Sequence, residues 1–246
     1  MPGINKIPDT KIRFRRILSM LIPGETVCNC SPVFLFKPKK MIHPDTELKY
    51  ISREVGYGVV ATRFIPAGTI TWVLDKLDRE FRPEEVRQLG TEYQSILDTY
   101  AYRNNQGNYV LCWDIARYIN HSFNSNCLTT AYDFELAIRD IHPGEQLTDD
   151  YGYLNLDSPF RGVNEGTKRK VVYPDDLLRY HKVWDRKIGK VFGRILKLDQ
   201  PLKPYIPADH WKNIESITEG RAAMESILNN YYPNGQIAKS TIRRTR

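Results

Sequence analysis

Ala116-Arg117-Tyr118-Ile119-Asn120-His121-Ser122 places an asparagine–histidine pair directly after an aromatic and an aliphatic residue. Such a pair in a loop most often caps a helix or closes a turn. Here Tyr118 and Ile119 draw it partly under cover, where polar side chains need partners. Upstream, Gly56-Tyr57-Gly58-Val59-Val60-Ala61 enters a β-branched run and leads to the turn Ile65-Pro66-Ala67-Gly68. Glycines before a strand usually serve a turn or bulge, or let the backbone approach a small ligand. Downstream, Pro143-Gly144-Glu145-Gln146-Leu147-Thr148-Asp149-Asp150-Tyr151-Gly152-Tyr153 runs from a turn to two tyrosines around a glycine, which suit either a core or a site.

Outward from these pieces, Val59–Phe64 and Thr69–Leu74 read as a hairpin across the Pro66-Ala67-Gly68 turn. Pro83 to Tyr100 carries Val86, Leu89, Tyr93, Ile96, Leu97 and Tyr100 at helical spacing, with Pro83 suited to a first helical position. Short strands are expected at Tyr109–Trp113, Cys127–Ala131, Phe134–Ile138 and Gln146–Thr148. After about residue 172 the pattern turns helical. Pro174-Asp175-Asp176 opens a helix with the apolar stripe Leu177, His181, Trp184, Ile188, Val191 and Ile195. A second helix is expected over Thr218–Asn230. The domain reading is an irregular basic flank at 1–44, a β-rich core at 45–156 with a helical insert at about 83–100, a helical part at 157–234 and a basic tail at 235–246. The fold class is mainly β with flanking helices (α+β).

The 246 residues are 41% hydrophobic and 26% charged, ordinary for a folded domain. No apolar run is long enough to span a membrane, and the patch Ile17 to Ile22 is too short for a secretory leader. Four cysteines are too few for a disulfide scaffold. Cys28-Asn29-Cys30 offers two adjacent thiols, but Cys112 and Cys127 fall in core elements, so no zinc site closes and no metal is expected. Net charge is +7, yet residues 45–150 hold 10 Lys+Arg against 17 Asp+Glu. Basic runs at Lys11–Arg16, Lys37–Lys40, Lys168–Lys170 and Arg243–Arg246 flank this acidic middle. They suit phosphate or an acidic partner, while the middle attracts cations.

The three pieces, in this order, resemble the SET-domain protein lysine methyltransferases over roughly residues 50–155. The resemblance implies small β-sheets with a knot-like threaded closing segment, so that Asn120 and Tyr151 meet in space. It implies S-adenosylmethionine as cofactor, held by Gly56, Tyr57 and Gly58, by the Asn120 side chain and by the His121 backbone. It makes Tyr151 the catalytic tyrosine and puts Tyr153 beside a lysine channel. Tyr109, Tyr132, Tyr100 or Tyr102 are the candidate walls. The family's cysteine cluster after the closing signature is missing, so Tyr153, Phe160 or Tyr173 is expected to provide cover.

A free lysine titrates near 10.4, so only about one in a thousand is neutral near pH 7.4, a cost of about 4 kcal/mol. A dry aromatic channel beside a sulfonium lowers that value, and aromatic walls attract the cation. The expected function is methylation of a lysine on a protein, with a histone or another basic chromatin protein as favoured substrate. A non-histone target, ribosomal or bacterial, is the alternative, and a non-catalytic binding module a third reading. The basic flanks are compatible with nucleic-acid contact, and with a nucleus, a bacterial cytoplasm or an effector delivered into a host nucleus. No membrane partner is expected, and oligomeric state is left open.

Overall fold

The computed structural model describes residues 40–233. The basic runs at 11–16 and 243–246, and Cys28 and Cys30, lie outside the described residues. Thr46–Ser52 (β1) and Gly56–Ala61 (β2) form an antiparallel hairpin with Tyr50 opposite Tyr57. The expected hairpin of β2 with the strand after Gly68 does not form. That strand, Ile70–Val73 (β3), pairs instead with a later one. The reason is competition for edges: the segment from Phe134 to Ile141 bonds both sides of the Pro66–Gly68 turn. Ile65 exchanges hydrogen bonds with Ile141 at 2.9 Å, and Gly68 N donates to Ala137 O at 2.7 Å.

Arg79–Phe81 (β4) precedes the helical insert. The single helix expected there is two, Pro83–Gln88 (α1) and Thr91–Tyr100 (α2), because the chain turns extended at Leu89 and Gly90. Ala101–Arg103 (β5) and Tyr109–Leu111 (β6) complete a sheet of order β4-β6-β5. A 3-10 turn over Ile115–Tyr118 follows, capped by Asp114, which accepts from Ala116 N at 2.8 Å. It delivers Asn120–His121 (β7).

Cys127–Thr129 (β8) and Phe134–Ala137 (β9) join β3 in a sheet of order β3-β9-β8. All four β9 residues are buried, as are all four of β3, so this sheet is covered on both faces. Thr148–Asp149 (β10) pairs in parallel with β7, Thr148 beside Asn120 and Asp149 beside His121. Val60 of β2 bridges to Gln146. The glycine strand, the closing segment and the Asn-His loop therefore lie side by side.

Phe160–Arg161 (β11) pairs with Val171–Val172 (β12). Asp176–Phe192 (α3) buries Leu177, Trp184, Ile188 and Val191 in one cluster with Ile70, Leu128, Phe134, Leu136 and Tyr153. The helical part thus shares the core of the strands. Gln200 fixes the joint: it accepts from Ile70 N at 2.8 Å and donates to Gly68 O and Ile195 O at 3.0 Å each. The last helix is Ala208–Thr218 (α4), not Thr218–Asn230. Gly220, at φ +76°, ends it, as glycine commonly does after a helix C-terminus. Ile227–Asn230 is only a 3-10 turn. Among the described residues no helix is long and apolar enough to cross a membrane.

Candidate active site

Gly56 sits at φ +78°, a conformation that favours glycine. Gly58 is glycine for a different reason. A Cβ there would stand 2.5 Å from Gln146 Oε1 and 2.7 Å from Asn120 Nδ2. The Asn120 amide donates to Tyr57 O at 3.0 Å and to Gln146 Oε1 at 3.1 Å. One side chain therefore ties together all three pieces singled out in the sequence. Tyr57 itself is exposed, between Tyr50 and Tyr118.

His121 Nδ1 accepts from Tyr151 N at 3.2 Å, so its ring proton is assigned to Nε2. Nε2 is buried and has no partner. Burial lowers the imidazole pKa to about 4, with Arg169 adding to the effect and Glu165 opposing it. The ring is enclosed by Phe123 at 4.3 Å, Tyr151 at 5.2 Å and Phe160 at 5.6 Å between centroids. Phe160, an expected cover, also touches Tyr151 at 5.6 Å.

Tyr151 is one of these rings. Its hydroxyl donates to Ile119 O at 2.8 Å. Burial, and then the charge of Asp149, raises its pKa, so it stays a neutral phenol. The same tyrosine lines a cavity of about 1040 Å³, together with Tyr102, Tyr109, Glu135, Asp149 and Tyr153. Tyr100 lines it too. Tyr109 donates to Asp157 at 3.1 Å and lies under the Arg103 guanidinium. Tyr153 is fully buried with its ring edge-on to Trp184. Tyr132 is elsewhere: it packs on Phe134 and Phe192, and its hydroxyl accepts from Glu225 N at 2.6 Å. It contributes no wall to this cavity.

Two contributors escaped the sequence reading. Arg169, read as part of a basic arm, is instead folded inward. It bridges the buried carboxylates of Asp150 and Asp176 and stacks over Tyr180 and Phe123. Asp150 in turn accepts from Gly152 N at 3.1 Å, so Arg169 anchors the turn that carries Tyr151. Glu135 lies in the otherwise apolar strand Phe134-Glu135-Leu136-Ala137, and that interruption was the available signal.

A family model described as SET domain matches residues 56–152. Residues 56–152 are a SET domain. The resemblance carried by the Asn-His and closing signatures is thereby borne out. Over 153 residues, 55% of this chain, it is 30% identical to "Histone-lysine N-methyltransferase trr" of Drosophila melanogaster. Over 165 residues, 58% of the chain, it is 29% identical to "Histone-lysine N-methyltransferase, H3 lysine-9 specific" of Schizosaccharomyces pombe. The chain spans 6% and 32% of those relatives' lengths. Asn120, His121 and Tyr151 fall inside the SET domain, whereas Phe160, Arg169 and α3 lie beyond its matched end.

Proposed function

We propose that this chain is an S-adenosylmethionine-dependent protein-lysine N-methyltransferase, with a histone or another basic chromatin protein as its favoured substrate class. The observation that carries the reading is the double membership of Tyr151. Its ring packs against His121 and also lines the large cavity. A methyl donor held beside His121 and an acceptor amine in the cavity would meet at one phenol.

The His121 enclosure suits the donor. Aromatic rings around one buried, unmatched N–H donor favour a heteroaromatic ring bearing nitrogen acceptors, which adenine is. Gly56, Tyr57, Gly58, Asn120 and His121 would hold S-adenosylmethionine, Asn120 toward its methionine part. Bound there, it supplies an electrophilic methyl on a sulfonium.

The residues of the chain do the rest. Tyr151 commits its proton to Ile119 O and keeps its oxygen lone pairs to accept from the amine, fixing the direction of attack. Tyr109, Tyr102 and Tyr153 are the proposed channel walls, excluding water and offering aromatic faces to a cation. Phe160, which packs on Tyr151 and lines the same cavity, serves as cover.

Incubation with methyl-labelled S-adenosylmethionine and either core histones or a total lysate of the source cell, read by mass spectrometry, tests the proposal. The expected result is label on lysine, most strongly on histones. Label on lysine of a non-histone protein alone replaces the substrate class. No label on lysine in either arm overturns the enzyme reading.

A further inference from the structure

The cavity beside Tyr151 contains a buried acidic pair that the methyl-transfer reading does not require. Glu135 from β9 and Asp149 from β10 are 7% and 5% exposed, and both line the cavity. An oxygen of each lies within 4.8 Å of the other, and the Cys127 sulfur is within the same distance. Among the described residues no arginine, lysine or histidine forms an ion pair with either carboxyl. Glu135 Oε2, Asp149 Oδ1 and the Tyr153 hydroxyl are all buried without a hydrogen-bond partner. The Tyr153 hydroxyl is turned toward Asp149 without closing a bond of good geometry.

We propose that the Glu135–Asp149 pair is the ammonium-receiving acid of this cavity: it binds the charged end of the target lysine and takes up its proton. The inference rests on the lysine methyltransferase reading and deepens it. Two carboxylates this close and this buried cannot both ionise, so they share one proton and carry one negative charge between them. Burial, and then the charge of Asp149, pushes the Glu135 carboxyl far above its ordinary range. Burial also raises the Asp149 carboxyl. We place the charge on Asp149, the member of the pair on the strand that runs into the Tyr151 turn, and the proton on Glu135. A buried anion without a counter-cation is costly, and an entering ammonium removes that cost.

The two arginines that line the same cavity are engaged elsewhere, Arg103 with Asp157 and Gly107 O and Arg117 with Trp113 O and Asp114 O. Tyr102 on β5, Cys112 after β6 and Cys127 on β8 are held neutral by burial, as are Tyr151 and Tyr153. Thr71 and Trp72 on β3 contribute only uncharged groups. Asp150 is paired with Arg169. The proposed step is one proton transfer: an N–H bond of the lysine ammonium breaks and an O–H bond forms on Asp149. The electron pair stays on nitrogen and nothing is oxidised or reduced. The neutral amine remains hydrogen-bonded at Tyr151.

The test uses n-butylammonium chloride as probe and tryptophan fluorescence as readout, with n-pentanol as the uncharged control, so it needs neither methyl donor nor turnover. Wild-type protein is expected to bind the ammonium and not the alcohol. Asp149→Asn is expected to weaken binding at least tenfold, while Glu135→Gln, which keeps the charge on Asp149, stays within about twofold. Infrared difference spectra between wild type and Glu135→Gln are expected to lose a protonated-carboxyl band near neutral pH. Should Asp149→Asn not fold, the wild type decides alone: binding must fall on acidification as the pair gains its second proton. Equal binding by wild type and Asp149→Asn, binding independent of pH from about 5 to about 9, or a divalent metal ion held stoichiometrically by wild type overturns the proposal. Ammonium binding without any methyl transfer would sink the enzyme reading and leave this site standing, so the two failures are distinguishable.

Discussion

The backbone N–H of Tyr151 donates to Nδ1 of His121 at 3.2 Å. Through this bond one residue of the closing signature fixes the tautomer of one residue of the Asn-His loop, 30 positions earlier. It also leaves the Nε2 proton pointing into an aromatic enclosure with nothing to bond.

His121 is therefore expected to stay neutral well below the ordinary histidine range. Its native pKa is lowered to about 4 by burial. An unfolded histidine binds its proton near 6.5. Between those two values the unfolded state holds more protons, so this residue's share of stability is intact above about 6.5 and falls as pH drops toward about 4. Proton–carbon NMR of the imidazole should show no midpoint above about pH 5. A midpoint near 6.5 would contradict the buried, neutral assignment.

Arg169→Met should be strongly destabilising. It leaves Asp150 and Asp176, with side chains 3% and 2% exposed, without their shared cation. Removing one member of a buried ion pair costs about 3–5 kcal/mol. Arg169→Lys should recover only part of this, since an ammonium lacks the fork that reaches both carboxylates. Urea unfolding checks the order. A Met variant as stable as wild type would mean that this bridge does not hold the Tyr151 turn in place.

Gly58→Ala should weaken cofactor binding. The added methyl must displace the Gln146 and Asn120 amides and press on Ile51 Cγ1 at 2.9 Å. Calorimetry with S-adenosylmethionine is expected to show a loss of about tenfold or more, equal to about 1.4 kcal/mol. Unchanged affinity would separate Asn120 from the cofactor.

These contacts also mark how far the sequence could be read. The three signatures were legible because each is a local device: a glycine pair before a strand, an asparagine–histidine turn, a tyrosine after an acidic turn. Their convergence followed from the family resemblance, and the parallel pairing of Asn120 with Thr148 agrees with it. Strand partners were not legible. Ile70–Val73 and Gly56–Ala61 carry the same β-branched pattern, and only tertiary competition for the Phe134–Ile141 edge separates them. Arg169 was misread for a related reason. In sequence it is the middle of a basic triplet, and its burial depends on carboxylates 19 and 7 positions away. Tyr132 has the composition of a channel residue, but Phe192 of α3 and Glu225 claim its two ends.

The most direct measurement is single-turnover methyl transfer to a lysine substrate by wild type and Tyr151→Phe. The variant loses one hydrogen bond, to Ile119 O, so its stability should fall by only about 1 kcal/mol. Its transfer rate should fall by about 100-fold or more, the scale seen when one positioned polar group is removed from a reacting centre. A folded Tyr151→Phe protein that methylates lysine at the wild-type rate would contradict the account.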